Sequence, residues 1–228
     1  MARASAIIIG NEILSGKTQD INSQFLARTL FESGVKLVLI ETVPDKTDVI
    51  VSTVKRHSKE FDLVFTSGGI GPTHDDITYD AISKAFDRKL ELHAETVKRY
   101  KDYYNREPNE ARKKMAMLPE GATLFWTEGT WVPTVFLDPV YVLPGIPDLF
   151  AKMLSAIKPR FATKSFERVL VYTCKLEGDI AFDLERVQNR FPELEIGSYP
   201  QSGQVMLSIE GSNIEQVKLA TAEIEKLV

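Results

Sequence analysis

Apolar and polar positions along the chain switch between two periods. Residues 4–9 (ASAIII) form a short, largely apolar, β-branched run, the pattern of a buried strand. Residues 22–33 place Phe25, Leu26, Thr29, Leu30 and Phe31 at helical spacing, and Gly34 closes the segment. Residues 35–43 alternate as a second strand that ends at Pro44-Asp45, and residues 46–58 read as a helix. Residues 61–66 predict a third strand, and residues 76–86 a helix with Ala81, Ile82 and Ala85 on one face.

Strands alternating with helices predict a parallel sheet covered on both sides, a three-layer αβα fold. Residues 93–117 are charged and tyrosine-rich and read as two solvated helices broken at Pro108; Tyr100, Tyr103 and Tyr104 are expected to pack as a helical face on a neighbour, the alternative being a stack on a flat ring. Residues 117–125 predict a turn and a strand. Residues 134–154 predict strands, a proline-framed turn (Pro144-Gly145-Ile146-Pro147) and a helix. The tail reads strand (168–174), helix (179–191), strand (194–199), strand (204–210), helix (213–228), with a hairpin-type turn at 200–203. This divides the chain into an α/β domain, 1–163, and a small βαββα subdomain, 164–228.

In parallel sheets, ligands gather at the carboxyl ends of the strands. The rule selects three loops, 10–16, 44–45 and 68–76; the Pro144-Gly145 turn is a further proline-framed turn that follows a strand and opens a helix. The loop after the third strand, TSGGIGPTHDD (66–76), is the most informative. Gly68, Gly69 and Gly71 let backbone approach a ligand without a Cβ in the way. A helix opening at Asp76 would offer free N–H groups to an anion, with Thr73 and Asp75 as side-chain caps. A carboxylate beside a phosphate is electrostatically unfavourable unless a cation intervenes. Asp75 or Asp76 is therefore a candidate ligand for a divalent metal bridging to phosphate. The plainer alternative is a glycine turn followed by capping aspartates. The loop is neither GxxxxGK[ST] nor GxGxxG.

At the same edge lie Asn11 and Glu12 in the turn after the first strand, and Asp45 after the second. Glu12 is a metal or ligand carboxylate, or a turn carboxylate paired with Lys17. Asp20 and Asn22 precede a helix; one caps it, leaving the other for a ligand.

Composition narrows the partners. The chain has 228 residues, 43% hydrophobic and 26% charged, with a formal net charge of −4. Such a balance offers no broad surface to nucleic acid or acidic lipid, so an anionic ligand must be held by local donors. The single cysteine, Cys174, excludes a disulfide and reads as a small core residue. Three histidines make a histidine metal site improbable; His57 and His93 read as surface residues, and His74 as a solvated loop residue. Lys113 and Lys114 read as solvated. The N-terminal run reaches Gly10 too soon to span a membrane and lacks a signal-peptide cleavage site, so the expected location is cytoplasmic.

Taken in order, GNEILSGKTQDIN (10–22), VPD (43–45), TSGGIGPTHDDITYDAI (66–82), LPEGA (118–122) and LPGIP (143–147) resemble the molybdopterin-binding (MoaB/Mog-like) superfamily. Within it the resemblance is closest to the N-terminal domain of competence/damage-inducible protein A (CinA) and the corresponding domain of eukaryotic FAD synthase. The tail is similar to the small KH-type subdomain that follows in CinA, although it has no GxxG nucleic-acid loop. The resemblance implies hydrolysis of a dinucleotide pyrophosphate, ADP-ribose or FAD, using a divalent metal (cobalt or magnesium) with potassium. It also implies that Asp76 and Asp45 carry the chemistry, and that the chain forms a homo-oligomer. The Mog side of the superfamily binds and adenylylates molybdopterin, a second expectation; a non-catalytic nucleotide-binding module is a third. Many relatives have Gly-Asp-Glu where this chain has Gly10-Asn11-Glu12, which removes a charge from the first loop.

Overall fold

The computed structural model describes residues 1–162 and 167–228. The chain divides into two compact units, the first spanning Met1–Phe31 and Val35–Ala162, the second Thr163–Val228 with Glu32–Gly34. The boundary expected between 163 and 164 lies outside the described residues.

The first unit runs β1 (Ala2–Ile9), α1 (Asn11–Leu14), α2 (Asn22–Glu32), β2 (Val35–Val43), α3 (Thr47–Glu60), β3 (Leu63–Ser67), α4 (Thr78–Ala85), β4 (Leu90–Leu92), α5 (Ala94–Tyr104), α6 (Glu110–Lys114), β5 (Met117–Pro119), β6 (Thr123–Phe125), β7 (Thr134–Leu137), β8 (Val140–Leu143) and α7 (Pro147–Ile157). Its main sheet has the order β2-β1-β3-β8-β7-β6. The first four strands are parallel, and β7 and β6 add antiparallel edges. β4 and β5 form a separate ribbon.

The period of two along β1 fills both faces. Ala4, Ala6 and Ile8 pack into the core built with Leu26 and Leu30 of α2 and Phe150 and Leu154 of α7. Ile7 and Ile9 join Ile50 and Val54 of α3 and Ala81 and Ile82 of α4 on the other side. The three-layer, mostly parallel expectation thus describes this unit. Register carries the parallel strands to one edge: Ile9 pairs with Val43, Ile8 with Ser67, and Ser67 with Leu143. Every loop selected from the sequence leaves from that edge.

The second unit runs β9 (Glu167–Thr173), α8 (Glu177–Arg190), β10 (Glu195–Gln201), β11 (Gln204–Gly211) and α9 (Ile214–Ile224). Its antiparallel sheet, ordered β10-β11-β9, packs with the two helices around Ile180, Val187, Leu207, Ile209 and Val217. The hairpin turn is tighter than expected. Pro200 and Gln201 belong to β10, leaving Ser202 and Gly203 to turn the chain, with Gly203 at φ 81°. No helix among the described residues is long and apolar enough to cross a membrane.

Two sequence expectations are corrected. Cys174 is exposed, because the alternation of β9 puts it on the same solvent-facing side as Arg168, Leu170 and Tyr172. Lys114 is exposed, as expected of a solvated residue, and is also hydrogen-bonded, as described below. His57 is not a surface residue: it is fully buried, its Nδ1 2.9 Å from Ser5 Oγ and its Nε2 2.8 Å from Glu41 Oε2. A carboxylate only accepts, so Nε2 carries the hydrogen towards Glu41, while Nδ1 and the Ser5 hydroxyl share the second hydrogen bond. Arg56 also reaches Glu41 Oε2, at 2.5 Å. Partial burial lifts the Glu41 pKa, but the hydrogen bonds and charges of Arg56 and His57 together outweigh it and leave the group below its ordinary 4.5.

A depressed carboxylate contributes stability that is complete above its ordinary pKa and is lost as pH falls through the folded value. The wild-type melting temperature is therefore expected to fall on acidification below about pH 4.5, more steeply than that of Glu41→Gln. Parallel acid melting curves for the two proteins would contradict this assignment.

Candidate functional site

The first loop is tied to the second strand. Gly10 N–H donates to the Val43 carbonyl at 3.1 Å, and Asn11 N–H donates to Asp45 Oδ2 at 2.8 Å. Asp45 is thus held against the start of α1 by backbone rather than by another side chain. An aspartate at position 11 would put a second negative charge next to it, which asparagine avoids. Glu12 folds back over Gly10; a Cβ at position 10 would lie 2.5 Å from Glu12 Oε1. Glu12, Asp20, Asn22, Ser67 and Gly145 all line one cavity of ≈ 100 Å³.

The pair ahead of α2 divides its work differently from the expectation. Asp20 Oδ1 accepts from Ser23 N–H at 3.0 Å, and Asp20 Oδ2 accepts from the Ser23 hydroxyl, so Asp20 caps the helix. Asn22 is buried, and its Nδ2 donates to Ser67 Oγ and to the Gly145 carbonyl, both at 2.9 Å. Its amide hydrogens are spent joining α2, β3 and the Pro144-Gly145 turn. The buried Pro144 contributes its carbonyl to the Ser67 hydroxyl at 3.3 Å.

The glycine loop is built from positive φ angles, 108° at Gly68 and 66° at Gly69. Gly68 N–H donates to the Leu143 carbonyl, and a Cβ at Gly145 would stand 3.3 Å from Gly68 Cα. The loops after β3 and β8 therefore touch backbone to backbone. α4 starts at Thr78, not at Asp76. The reason is local. Thr78 N–H donates to the Gly69 carbonyl and the Thr78 hydroxyl to the Gly68 carbonyl, both at 2.9 Å, so the first turn of the helix closes on its own loop. Its N-cap, Ile77, makes no side-chain hydrogen bond, and Thr73 and Asp75 are not caps.

Thr73, Asp75 and Asp76 instead close a turn of their own. Thr73 N–H donates to Asp76 Oδ2 at 2.8 Å, and Thr73 Oγ1 lies 2.6 Å from Asp75 Oδ1 and 2.5 Å from Asp76 Oδ2. Asp76 also covers Gly71, where a Cβ would fall 2.6 Å from Oδ2. The Thr73 hydroxyl and a backbone hydrogen bond hold the Asp75 pKa below its ordinary value, against a smaller loss of solvation and with further help from His74 and Lys114.

A hydroxyl has one hydrogen, so it serves only one of the two carboxylates at a time. When it turns to Asp75, Asp76 Oδ2 still holds the Thr73 N–H. Among the described residues no group of three or more His, Cys, Asp or Glu could hold a metal alone. Asp75 and Asp76 would need water and substrate oxygens to complete the shell, the habit of Mg²⁺ at phosphate sites. The candidates thus form three groups: Asn11 with Asp45, Asn22 with Ser67 and Gly145, and Thr73 with Asp75, Asp76 and Gly71. Sequence reasoning missed Ser67, Thr78 and Lys114, whose partners are fixed only by the fold.

Comparison with known proteins identifies relatives of both parts of the chain. Residues 5–163 match the family model described as "Probable molybdopterin binding domain", and residues 165–228 match "FAD synthase, middle domain". A protein of Archaeoglobus fulgidus is 35% identical over 97% of this chain and 96% of its own length. A Caenorhabditis briggsae protein named "Probable FAD synthase" is 31% identical over 97% of this chain but 49% of its own length. The crystal structure of a Thermoplasma acidophilum protein titled CinA, of unknown function, superposes with a TM-score of 0.66 at 28% identity, covering 70% of this chain and 98% of that one. With Gly68, Asp76 and Gly145 all inside the first matched segment, the chain belongs to the molybdopterin-binding-domain (MoaB/Mog-like) family, in its CinA-like and FAD-synthase-like form.

Proposed function

We propose that the protein is a metal-dependent nucleotide pyrophosphatase acting on a dinucleotide such as ADP-ribose or FAD. The observation that carries this reading is the convergence of Asp75 and Asp76 on the single Thr73 hydroxyl beside the glycine loop. A divalent ion, cobalt or magnesium with potassium assisting, would supply charge neutralisation and an acidified water there. Asp76 and Asp75 hold that ion. The backbone of the Gly68–Gly71 loop would border the diphosphate, together with Pro144 and Gly145; the space beside each loop glycine is itself taken up by Ile9, Thr78 and Asp76. Glu12 and Asp45 are the remaining carboxylates at this edge and are candidates to accept the proton of the attacking water. Hydrolysis adds that water across the P–O–P bridge: one phosphorus gains the hydroxyl oxygen, and the bridging oxygen leaves on the other phosphate. Positioning and electrostatics supply most of the rate in such reactions.

Membership of a molybdopterin-binding family favours a second reading, in which the same loop holds a pterin phosphate without cleaving it. One experiment separates the two. Purified protein is incubated with FAD and with ADP-ribose, plus cobalt or magnesium and potassium, and AMP is followed chromatographically. AMP release is the expected result. Thermal stabilisation by nucleotide without AMP would overturn the hydrolase reading in favour of binding.

A further inference from the structure

Lys114, the last residue of α6, lies 41 positions beyond Thr73 in sequence, yet its Nζ donates to the Thr73 carbonyl at 2.5 Å. It stands with Asp76 and Asp80 at a cavity of ≈ 110 Å³ whose remaining walls, Ile70, Leu90 and Met117 among them, are mostly apolar, so the ammonium is left to the polar rim. Its charge is among the influences that lower the Asp75 pKa. Its position is set by backbone. Asn109 caps α6 by accepting from Arg112 N–H, Met115 N–H and Ala116 N–H close the helix end, and His93 N–H fixes the Ala116 carbonyl. Neighbouring Lys113 turns instead to Glu110, at 2.7 Å.

The electrostatics of this corner need a cation. Two carboxylates border the glycine loop, and the protein as a whole is negative, at −4. An ammonium carries three donors, of which the Thr73 bond uses one. We propose that Lys114 is a substrate-binding residue, whose ammonium contacts a phosphate oxygen of the ligand at the Asp76 end of the site. The inference rests on the nucleotide reading above and adds to it a direct phosphate contact from outside the glycine loop. It also explains how a loop with two aspartates tolerates a polyanion: Lys114 lowers the local negative potential before any ligand arrives.

The test is a binding measurement, so it does not depend on turnover. Affinities for ADP-ribose, inorganic pyrophosphate and adenosine are measured by calorimetry for the wild type, Lys114→Met, Lys114→Arg and Lys113→Met. Losing one charge-assisted contact is expected to weaken ADP-ribose and pyrophosphate binding about 10- to 100-fold in Lys114→Met. Adenosine, which has no phosphate, should bind the variant as it binds the wild type. Lys114→Arg should stay within about fivefold, because the charge and donors remain. Lys113→Met, an equal loss of charge on the same helix, should change little. If Lys114 only ties down the loop, Lys114→Met will weaken adenosine along with pyrophosphate, and the phosphate contact is overturned. Equal pyrophosphate affinity in Lys114→Met and the wild type overturns it too. Tight binding without AMP release would sink the hydrolase reading while leaving this one to stand or fall on the variant. Failure of the wild type to bind either phosphate ligand sinks both.

Discussion

Replacing Asp76 with asparagine is expected to end AMP release from ADP-ribose and FAD while leaving the protein folded. The carboxylate has two duties. Oδ2 accepts the Thr73 N–H and faces the Thr73 hydroxyl, and the negative charge is what a divalent ion would bind. An asparagine oxygen keeps the acceptor for Thr73 but not the charge. The fold should therefore change little. Metal-assisted charge stabilisation is worth several kcal/mol, and each 1.36 kcal/mol is tenfold, so kcat should fall by about 10³ or more. Circular dichroism and the melting temperature, measured beside the rate, show whether loss of activity is loss of structure. A full-rate Asp76→Asn variant would remove Asp76 from the chemistry.

The second large effect is structural. Gly68→Ala should destabilise the first unit and abolish ligand binding together. Two penalties coincide at this position. The φ of 108° is outside the range of L side chains, and a Cβ would run into the Ile9 carbonyl oxygen of β1. Backbone strain alone costs about 1–3 kcal/mol, and backbone cannot yield to the collision without moving a central strand. With about 2–4 °C of melting temperature per kcal/mol for a chain of this size, a drop of about 5–10 °C is expected. Gly16→Ala is the internal control. Gly16 also has a positive φ, 71°, but nothing stands within 4 Å of its Cβ position. It should lose only the conformational part. If the two variants melt alike, the contact between Gly68 and β1 contributes nothing and the tight crossing is wrong.

The hydrophobic periods were sufficient to locate β1, β2, β3 and α2, and the 35–43 strand coincides with β2. They were sufficient because each element packs through its own local stripe, which a window of a dozen residues contains. The glycine loop was legible for a similar reason: positive φ leaves its mark as glycine. The features that were missed depend on partners distant in sequence. His57 sits in a polar stretch of α3, and its burial is set by Ser5, 52 residues away, and Glu41, 16 away. Lys114 takes its meaning from Thr73, 41 residues earlier. The start of α4 moved from 76 to 78 because the Thr78 N–H and hydroxyl bond the Gly69 and Gly68 carbonyls, partners that no propensity records. Cys174 went astray because an apolar run does not say which phase of the alternation faces solvent: it follows Leu170 and Tyr172 on the exposed side of β9.

The segment from β4 to β5 leaves the main sheet after α4 and returns before β6 without adding a strand to it. It nevertheless delivers Lys114 to the glycine loop. Such an arrangement separates what the scaffold must conserve from what it is free to vary. Changes between residues 86 and 122 that keep the core contacts of Tyr100 and Leu118 touch no pairing of the six-stranded sheet, yet alter the charge presented to a ligand. Grafting that excursion from one relative onto another is thus a route by which one framework could acquire a different ligand preference in a single step.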